Sequence, residues 1–418
     1  MLSAPTKPLD LKKFKAFVIE KALTCLHEPE GMLNNRYVTP TYGIEAGADD
    51  DAALPARSTI GFYLQMYDWD ACLFSQAQPY LGLNNLAVDI VRNFLSLKLP
   101  DGYIPRTVTP HRVWDGADHC KPLLSQALLK EQQDNSFKTA LPPSMLEELD
   151  NYLTYFETHR QDKTFGLFHW RNMLESGVDD NLALIFPLVA SKDENEEVHG
   201  YPDGRLLATD LSSWLVAEYK AFSELALKVN KVELSEKYIR QAQELAERIE
   251  NILWCESLSI YCNFDPLTSR QNEIRTWTGL MPVALGIAHP DRAKQVIEKC
   301  IMNPAHFFRP AGLSTVAASE GLYNQARRGL YGRASVANWQ GPVWFLPNLL
   351  AIRGMLKYGY KKEAKELSLR ILTTLVNGVE KYGSLNENYH AETGEPLWAP
   401  NFMSWTVLSL ELIDLLNS

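Results

Sequence analysis

Two acidic segments of the chain carry side chains that suit general acid and general base chemistry. The first, residues 175–181, reads Glu-Ser-Gly-Val-Asp-Asp-Asn and places three acids around a glycine turn, shortly after Trp170. Neighbouring acids beside an aromatic wall raise one another's pKa, which suits a carboxyl that must keep its proton until a leaving oxygen takes it. A solvated acidic turn that caps a helix at Asn181 accounts for the same residues equally well.

The second acidic segment, residues 386–395, supplies a carboxylate of a different kind. Glu387 lies between two asparagines and shortly precedes Tyr389, and this polar setting predicts a glutamate that stays ionised and can activate water. A plain polar loop is the competing interpretation. As a pair, Asp179 and Glu387 match the two carboxyl groups that hydrolysis of a glycosidic bond requires.

Two clusters of aromatic and polar side chains strengthen this interpretation. Tyr63, Tyr67, Trp69 and Asp70 form the first, and the run Trp-Gln-Gly-Pro-Val-Trp at 339–344 forms the second. Sugars bind to stacked rings together with carboxylate and amide hydrogen bonds. Each ring taken singly is more often part of a core, but the clusters taken as sets favour ligand binding.

Other chemistries have less support in the sequence. Phosphate-binding glycine loops, HExxH and GxSxG are absent, and the nine histidines are scattered without the spacing of a metal site. The acidic run at 49–51 lacks the spacing of a calcium loop and is predicted to be a solvated loop. His111 and His119 flank Trp114, where ligand contact and plain surface roles are equally compatible with the pattern. No cofactor or metal is predicted.

Composition restricts the partners and the compartment. The 418 residues carry 41 Lys and Arg against 51 Asp and Glu, a formal charge of −10, without a basic run, which argues against nucleic acid and anionic membranes as partners. No apolar stretch is long enough to span a bilayer, and residues 1–11 lack the pattern of an export signal. Six dispersed cysteines indicate reduced, buried thiols. We expect a cytoplasmic protein that acts on a small molecule, with a homo-oligomer among its assembly states.

Helical periodicity accounts for most of the remaining chain. Apolar residues recur every three or four positions in many segments, for example Tyr238, Ala242, Leu245 and Ile249. One helix is predicted behind Pro142-Pro143, where Ser144 and Glu147 suit a capping box. Short connectors between these segments give the rhythm of helical hairpins, and the best strand candidate, 258–264, is short.

The predicted fold is therefore all-α, a single domain over residues 1–418 in which hairpins close into an α/α barrel. No Pro- and Ser-rich linker divides the chain. The segments 63–70, 101–114, 168–181, 307–344 and 386–405 are rich in Trp, Tyr, Asp, Gly and Pro, and we expect them to form the catalytic loops at one rim. The Ala, Gly and Asp content of residues 43–57 also suggests a mobile lid.

These motifs, taken together in this order, resemble glycoside hydrolase family 63, especially its small mannosylglycerate and glucosylglycerate hydrolases from bacteria and plants. The resemblance runs from about Tyr63 to Trp405 and rests on residues 67–74, 101–105, 175–180, 210–214, 341–344 and 387–394. It implies an (α/α)6 barrel and inversion at the anomeric carbon, with carboxyl groups roughly 6.5–9.5 Å apart.

The resemblance also implies roles for individual residues. Asp179 takes the position of the general acid and Glu387 that of the general base. Asp70, Trp69, Tyr63 and Tyr67 match positions that hold the sugar, and Trp339, Gln340 and Trp344 match the pocket wall. Further substrate contacts are expected from Arg106, Lys121, Trp170, Asp180, Arg205, Gly341 and Trp405.

Two departures from the family pattern concern the leaving group. This chain reads Lys121-Pro-Leu where the small-solute hydrolases have Gln-Pro-Pro, and Pro105-Arg106 where they have Pro-His. The predicted substrate is a small glycoside of the compatible-solute type, with glycerate or glycerol as the aglycone and glucose or mannose as the sugar. The alternatives are an α-glucosidase that acts on another small oligosaccharide and a non-catalytic sugar-binding protein on the same barrel.

Overall fold

The structure, a computed structural model, describes residues 9–43, 63–113, 117–133, 141–185, 205–326 and 338–418. Helices dominate these residues. They are α1 Leu11–Leu23, α2 Asp68–Ser75, α3 Gln78–Leu81, α4 Leu86–Ser96, α5 Leu124–Gln133, α6 Pro143–His159, α7 Met173–Ser176, α8 Thr209–Lys228, α9 Val232–Arg248, α10 Met281–Ala284, α11 Pro290–Gln295, α12 Phe345–Lys357, α13 Lys361–Tyr382 and α14 Ser409–Asn417. Short 3₁₀ or π turns cover Leu182–Leu184, Ile249–Leu253, Trp277–Leu280, Val296–Ile301 and Ser404–Leu408.

The helices pack mainly against their neighbours along the chain. Helices α8 and α9 are separated by three residues and pack against each other, as do α12 and α13. The last helix, α14, packs against α1, so the two ends of the described chain meet. The fold is an (α/α)6 barrel, as the sequence predicted. The prediction of one domain over residues 1–418 stays a prediction.

Short antiparallel strands connect the helices at the loops. They are β1 Leu26–His27, β2 Tyr37–Val38, β3 Met66–Tyr67, β4 Thr107–Val108, β5 Trp254–Cys255, β6 Ile260–Tyr261, β7 Phe264–Asp265, β8 Arg270–Gln271, β9 Phe308–Arg309, β10 Gly312–Leu313, β11 Val343–Trp344, β12 Asn386–Tyr389 and β13 Pro396–Pro400. Two groupings matter for the site. Tyr67 on β3 pairs with Thr107 on β4, and β12 is the central strand of the sheet β11-β12-β13.

Buried glutamates from neighbouring helices satisfy the first amide groups of two barrel helices. Glu131 accepts hydrogen bonds from the amides of Ala87 and Val88 at the start of α4. Glu218 does the same for Ser125 and Gln126 in the first turn of α5. A helix leaves its first amides without intrahelical partners and attracts negative charge there. These contacts therefore tie each helix start to the next hairpin.

The described residues test two local predictions made from the sequence. Helix α6 begins at Pro143 and has no side-chain cap, so the predicted capping box is wrong: Pro143 itself occupies the first helical position, and Ser144 lies inside the helix. The strand candidate at 258–264 is present only as the short strand β6 and the start of β7. The lid candidate beyond Gly43, the acidic run 49–51 and Trp114 lie outside the described residues.

Candidate active site

A cavity of about 590 Å³ lies among the loops that follow and precede the barrel helices. This volume is in the range of pockets that enclose a small ligand. Aromatic rings, carboxyl groups and arginines from five separate segments form its wall. The lining residues are Pro40, Tyr63, Gln65, Tyr67, Trp69, Asp70, Arg106, Thr107, Arg112, Asp118, Leu174, Gly177, Asp179, Trp339, Trp344, Glu387, Phe402 and Trp405.

Asp179 is presented to the cavity by a turn between two short helices. Asn172 caps the start of helix α7, where its side chain accepts a hydrogen bond from the Glu175 amide at 2.7 Å, and Gly177 follows the last helical residue with a φ of +72°. A side chain on Gly177 would collide with Trp69. Asn181 then caps the following 3₁₀ turn. The helix cap expected at Asn181 is thus present, and it shapes the turn that carries Asp179.

Glu175, the first of the three acids in residues 175–181, anchors the segment. Its carboxylate pairs with Arg160, whose Nη2 atom lies 2.6 Å away, and both side chains are buried. It also accepts the backbone amides of His119 and Arg171. A carboxylate with this many donors holds three chain segments together. Glu175 is therefore a structural part of the turn, and Asp179 is the acid that faces the cavity.

Burial sets the protonation of Asp179. Burial raises the pKa of this carboxyl to about 6. The positive charge of Arg106 lowers this pKa, and the negative charge of Asp180 raises it. A carboxyl with this pKa keeps part of its proton near neutral pH. That property suits a general acid.

Glu387 approaches the cavity from β12, the middle strand of the three-stranded sheet. It is 6% exposed, and the Tyr63 hydroxyl donates a hydrogen bond to its carboxylate. Its Oε2 atom is buried and has no hydrogen-bond donor among the described residues. The carboxyl group therefore has one oxygen that is free to accept a hydrogen bond.

The expectation that Glu387 stays ionised is corrected by this environment. Burial raises the pKa of Glu387 well above its usual value, and the neighbouring negative charge of Asp179 adds to the effect, although the hydrogen bond from Tyr63 opposes it. The flanking asparagines suggested a polar setting. However, both polar atoms of the Asn388 side chain are buried without partners among the described residues, so this neighbour does not solvate Glu387.

Asp70 is the third carboxyl group of the cavity wall. It lies in the first turn of α2, and Ser404 donates a hydrogen bond to it at 2.5 Å. Burial raises the pKa of Asp70 to about 7. The rings of Tyr63 and Tyr67 lie edge to face near it, with centroids 5.9 Å apart. This part of the wall offers carboxyl, hydroxyl and ring contacts within one short segment.

Indole rings make up another part of the wall. Trp339 stacks on Trp344 with ring centroids 3.6 Å apart, and the ring of Trp277 also stacks on Trp339, with centroids 5.6 Å apart. Trp69 contacts both Trp339 and Trp405. Extended apolar faces beside a few convergent polar groups are typical of a pocket for a small ligand.

The structure brings most of the sequence-predicted site residues to this cavity. Those that line it are Asp179, Glu387, Tyr63, Tyr67, Trp69, Asp70, Arg106, Trp339, Trp344 and Trp405. Those that do not are Lys121, Trp170, Asp180, Arg205, Gln340 and Gly341. The second group lies behind the wall or beside it, where each residue has protein contacts of its own.

Contacts with other protein groups explain why these six residues do not line the cavity. Trp170 donates its indole hydrogen to Asp210, and Arg205 pairs with Asp265 at 3.1 Å. Gln340 donates a hydrogen bond to the backbone oxygen of Asp180 at 3.3 Å and thereby supports the turn that carries Asp179.

Gly341 is a close-approach position, since a Cβ atom there would lie 2.1 Å from the backbone oxygen of Asn324. Lys121 is buried beneath Trp69.

Several wall residues had no sequence signal strong enough to single them out. Gln65, Thr107, Arg112, Leu174, Gly177 and Phe402 fall within the predicted rim segments, whereas Pro40 and Asp118 do not. Asp118 accepts hydrogen bonds from Arg171 and Asn172 at 3.3 and 2.9 Å. His119 is buried among tyrosine and phenylalanine rings, and His111 pairs with Glu30 at the surface.

Within the described part of the chain, no helix is long and apolar enough to cross a bilayer. Among the same residues, no group of His, Cys, Asp and Glu is arranged to hold a metal ion. All six cysteines are buried and unpaired.

Comparison with known proteins gives two kinds of match over this region. The profile of the mannosylglycerate hydrolase MGH1-like glycoside hydrolase domain matches residues 63–406. The fold is similar to that of a GH63 mannosylglycerate hydrolase from Thermus thermophilus in complex with glucose, with a TM-score of 0.67 and 17% identity over 96% of this chain and 99% of that one.

Trehalases are also similar. The neutral trehalase Nth1 from Saccharomyces cerevisiae has a TM-score of 0.60 and 15% identity over 85% of this chain and 72% of that one. A periplasmic trehalase from Escherichia coli O1:K1 is 22% identical over 188 residues, which is 45% of this chain. The match spans only 30% of the length of that curated relative.

Proposed function

The chain belongs to the mannosylglycerate hydrolase MGH1-like glycoside hydrolase family, and we propose that it hydrolyses a small α-glycoside of the compatible-solute type with inversion. It is a glycoside hydrolase on an (α/α)6 barrel. The proposed substrates are glucosylglycerol, glucosylglycerate and mannosylglycerate. The products are then a β-hexose and glycerol or glycerate.

One observation carries the proposal: Asp179 and Glu387 face the same cavity from different elements. Asp179 comes from the turn after α7, and Glu387 comes from β12. The cavity volume of about 590 Å³ suits one hexose ring with a short aglycone. The indole and tyrosine rings supply stacking faces for that hexose.

Asp179 is proposed as the general acid. In this step the bond between the anomeric carbon and the glycosidic oxygen breaks, and the leaving oxygen takes the proton of Asp179. The buried carboxyl, with its pKa of about 6, is a stronger proton source than a carboxyl that keeps its proton to high pH, yet it remains partly protonated near neutral pH.

Glu387 is proposed as the general base. A water molecule attacks the anomeric carbon from the face opposite the leaving group, and Glu387 takes its proton. The buried Oε2 atom has no donor among the described residues and can accept a hydrogen bond from that water. Such a bond stabilises the ionised carboxylate and lowers its pKa, which offsets the raised pKa of the ligand-free site.

The position of Arg106 favours a substrate with an acidic aglycone over one with a neutral aglycone. It lines the cavity, and of the charged groups that act on Asp179 it has the largest effect. The general acid must contact the leaving oxygen, so a cation beside Asp179 lies on the aglycone side. The buried Nε atom of Arg106 has no acceptor among the described residues, whereas Asp118 is already hydrogen-bonded to Arg171.

Replacement of Arg106 by glutamine therefore has an expected outcome that depends on the substrate. For α-glucosylglycerate, kcat/KM should fall about 10- to 100-fold further than for α-glucosylglycerol, because a hydrogen bond to a charged group contributes about 1.5–3 kcal/mol. The two kcat/KM values are measured for each protein, and their ratio cancels any effect on Asp179. An equal fall for both substrates would place Arg106 away from the aglycone.

The function itself is tested by proton NMR of the protein with α-glucosylglycerol, α-glucosylglycerate, α-mannosylglycerate, trehalose and kojibiose. We expect the β-anomer of the released sugar to appear first from one of the first three glycosides, because water attacks opposite the leaving group. The α-anomer appearing first would exclude inversion. Turnover of none of them would leave the sugar-binding alternative.

Trehalose is included because of the trehalase matches. Preferred turnover of trehalose would replace the compatible-solute proposal with that of an α-glucosidase acting on a small oligosaccharide. A cytoplasmic location remains part of the proposal, although the E. coli relative is periplasmic.

A further inference from the structure

Lys121 is a fully buried lysine directly behind the active site. Its side chain is 1% exposed and that of its partner Asp68 is 0% exposed, with Nζ 3.4 Å from both carboxylate oxygens. Asp68 also accepts the backbone amides of Lys121 and Trp69. Lysine is almost never fully buried unless paired, and even a buried pair is a weak source of stability. This position therefore suggests a role other than stability.

The ammonium group contacts two parts of the cavity wall from behind. Nζ lies 4.6 Å from the ring centroid of Trp69. A Cβ atom on Gly177 would lie 3.0 Å from the same Nζ and 2.8 Å from Trp69. Trp69, Lys121 and Gly177 are thus in mutual contact, and Trp69 and Gly177 both line the cavity. Asp179 follows Gly177 by two residues.

Lys121 also lies at the centre of several buried carboxyl groups. Its positive charge acts on Asp179, Asp70 and Asp210, in each case against the effect of burial. The other charges that act on Asp179 are Arg106, which has the same sign as Lys121, and Asp180, which opposes them. Without the charge of Lys121, Arg106 would be the remaining cation among the charges named for Asp179.

We propose that Lys121 is a positioning residue for the hydrolytic reaction: it holds the Gly177–Asp179 turn against Trp69 and supplies a buried positive charge behind Asp179. It makes no contact with the substrate, in contrast to the expectation from the sequence. The activity part of this inference rests on the proposed function. The charge part rests on the position of the Lys121 ammonium against Gly177, two residues before Asp179, and is independent of the substrate.

The competing explanation is that Lys121 only neutralises Asp68. Two variants separate the explanations. Lys121→Met removes the charge, keeps the length of the side chain and leaves Asp68 buried without its ion pair. The double variant Lys121→Met, Asp68→Asn removes both charges, and the single amide oxygen of asparagine keeps an acceptor for one of the two backbone amides that Asp68 binds through separate oxygens. If the single variant does not fold, the double variant alone carries the test.

Thermal melting and kcat/KM are measured for the parent and both variants. We expect the double variant to melt at a higher temperature than Lys121→Met, because no charge is left buried without a partner, but to remain about 10- to 100-fold lower in kcat/KM than the parent, as for other displaced catalytic geometries. A neutralising role predicts that activity returns together with stability. That result would overturn the proposal.

A second readout needs no substrate. With aspartate ¹³C-labelled at Cγ, the carboxyl signal of Asp179 is identified by its loss in Asp179→Asn and titrated in the ligand-free protein. Loss of the nearby cation should move its midpoint to higher pH in Lys121→Met, because the positive charge of Lys121 favours the ionised form of Asp179. The shift should be smaller in the double variant, which also loses the negative charge of Asp68 beside Lys121. An unchanged midpoint would refute the charge part, even if no glycoside is hydrolysed by the parent.

Discussion

Asp179→Asn is expected to lower kcat on the cleaved glycoside by about 10²- to 10⁴-fold, the usual contribution of a general acid. Asparagine keeps the size of the side chain but has no proton to give to the leaving oxygen. The turnover is followed by release of the free sugar. As a control, Asp291→Asn changes an aspartate that is 89% exposed on α11 and should leave the rate unchanged.

The activity of Asp179→Asn should be largely restored on a substrate whose leaving group needs no proton. Fluoride leaves as a stable anion, so α-glycosyl fluoride with the matching sugar requires little help from an acid. We expect the ratio of variant to parent rates to be far closer to one for this fluoride than for the natural glycoside. A variant that stays equally slow on both substrates would show that Asp179 has another role.

Glu387→Gln is expected to have an effect of similar size on both substrates. The attacking water must lose its proton whichever group leaves, and glutamine cannot take that proton. The loss of kcat should therefore be about 10²- to 10⁴-fold on the natural glycoside and should persist on the fluoride. Glu395→Gln is the matched control, because Glu395 lies beyond the same strand and pairs with Lys381 at the surface.

The comparison between the two variants also tests which carboxyl group acts as the acid and which acts as the base. Burial raises the pKa of both carboxyl groups, whereas the proposed base must be ionised during turnover. If the fluoride rescues Glu387→Gln instead of Asp179→Asn, the acid and the base exchange places.

The sequence predicted the architecture because helical periodicity is a local property. The spacing of Tyr238, Ala242 and Leu245 corresponds to the buried face of α9. The exact start of a helix is less easily predicted, since Ser144 and Pro143 are both acceptable at a helix start and only the structure shows which position each takes. The segments rich in Trp, Tyr and Asp correspond to the cavity wall because such residues are rarely needed in plain connectors.

The direction of individual side chains could not be predicted in the same way. Trp170 and Lys121 belong to the predicted segments or motifs by type, yet contacts with Asp210 and Asp68, distant in sequence, turn them away from the cavity. Pro40 and Asp118 were missed because neither lies in an aromatic or acidic cluster. Burial also overrode the polar sequence around Glu387, because solvation depends on the packed neighbours rather than on adjacent residues.

The stacked indoles of the cavity wall have an optical consequence. Trp339 and Trp344 lie face to face at 3.6 Å, close enough for their electronic transitions to couple, and Trp69 and Trp405 complete a group of tryptophans around the same space. Coupled indoles give circular dichroism that depends on the angle between the rings, and their fluorescence depends on the polarity around them. The unlabelled protein thus carries its own spectroscopic reporter at the place where a sugar ring would displace water.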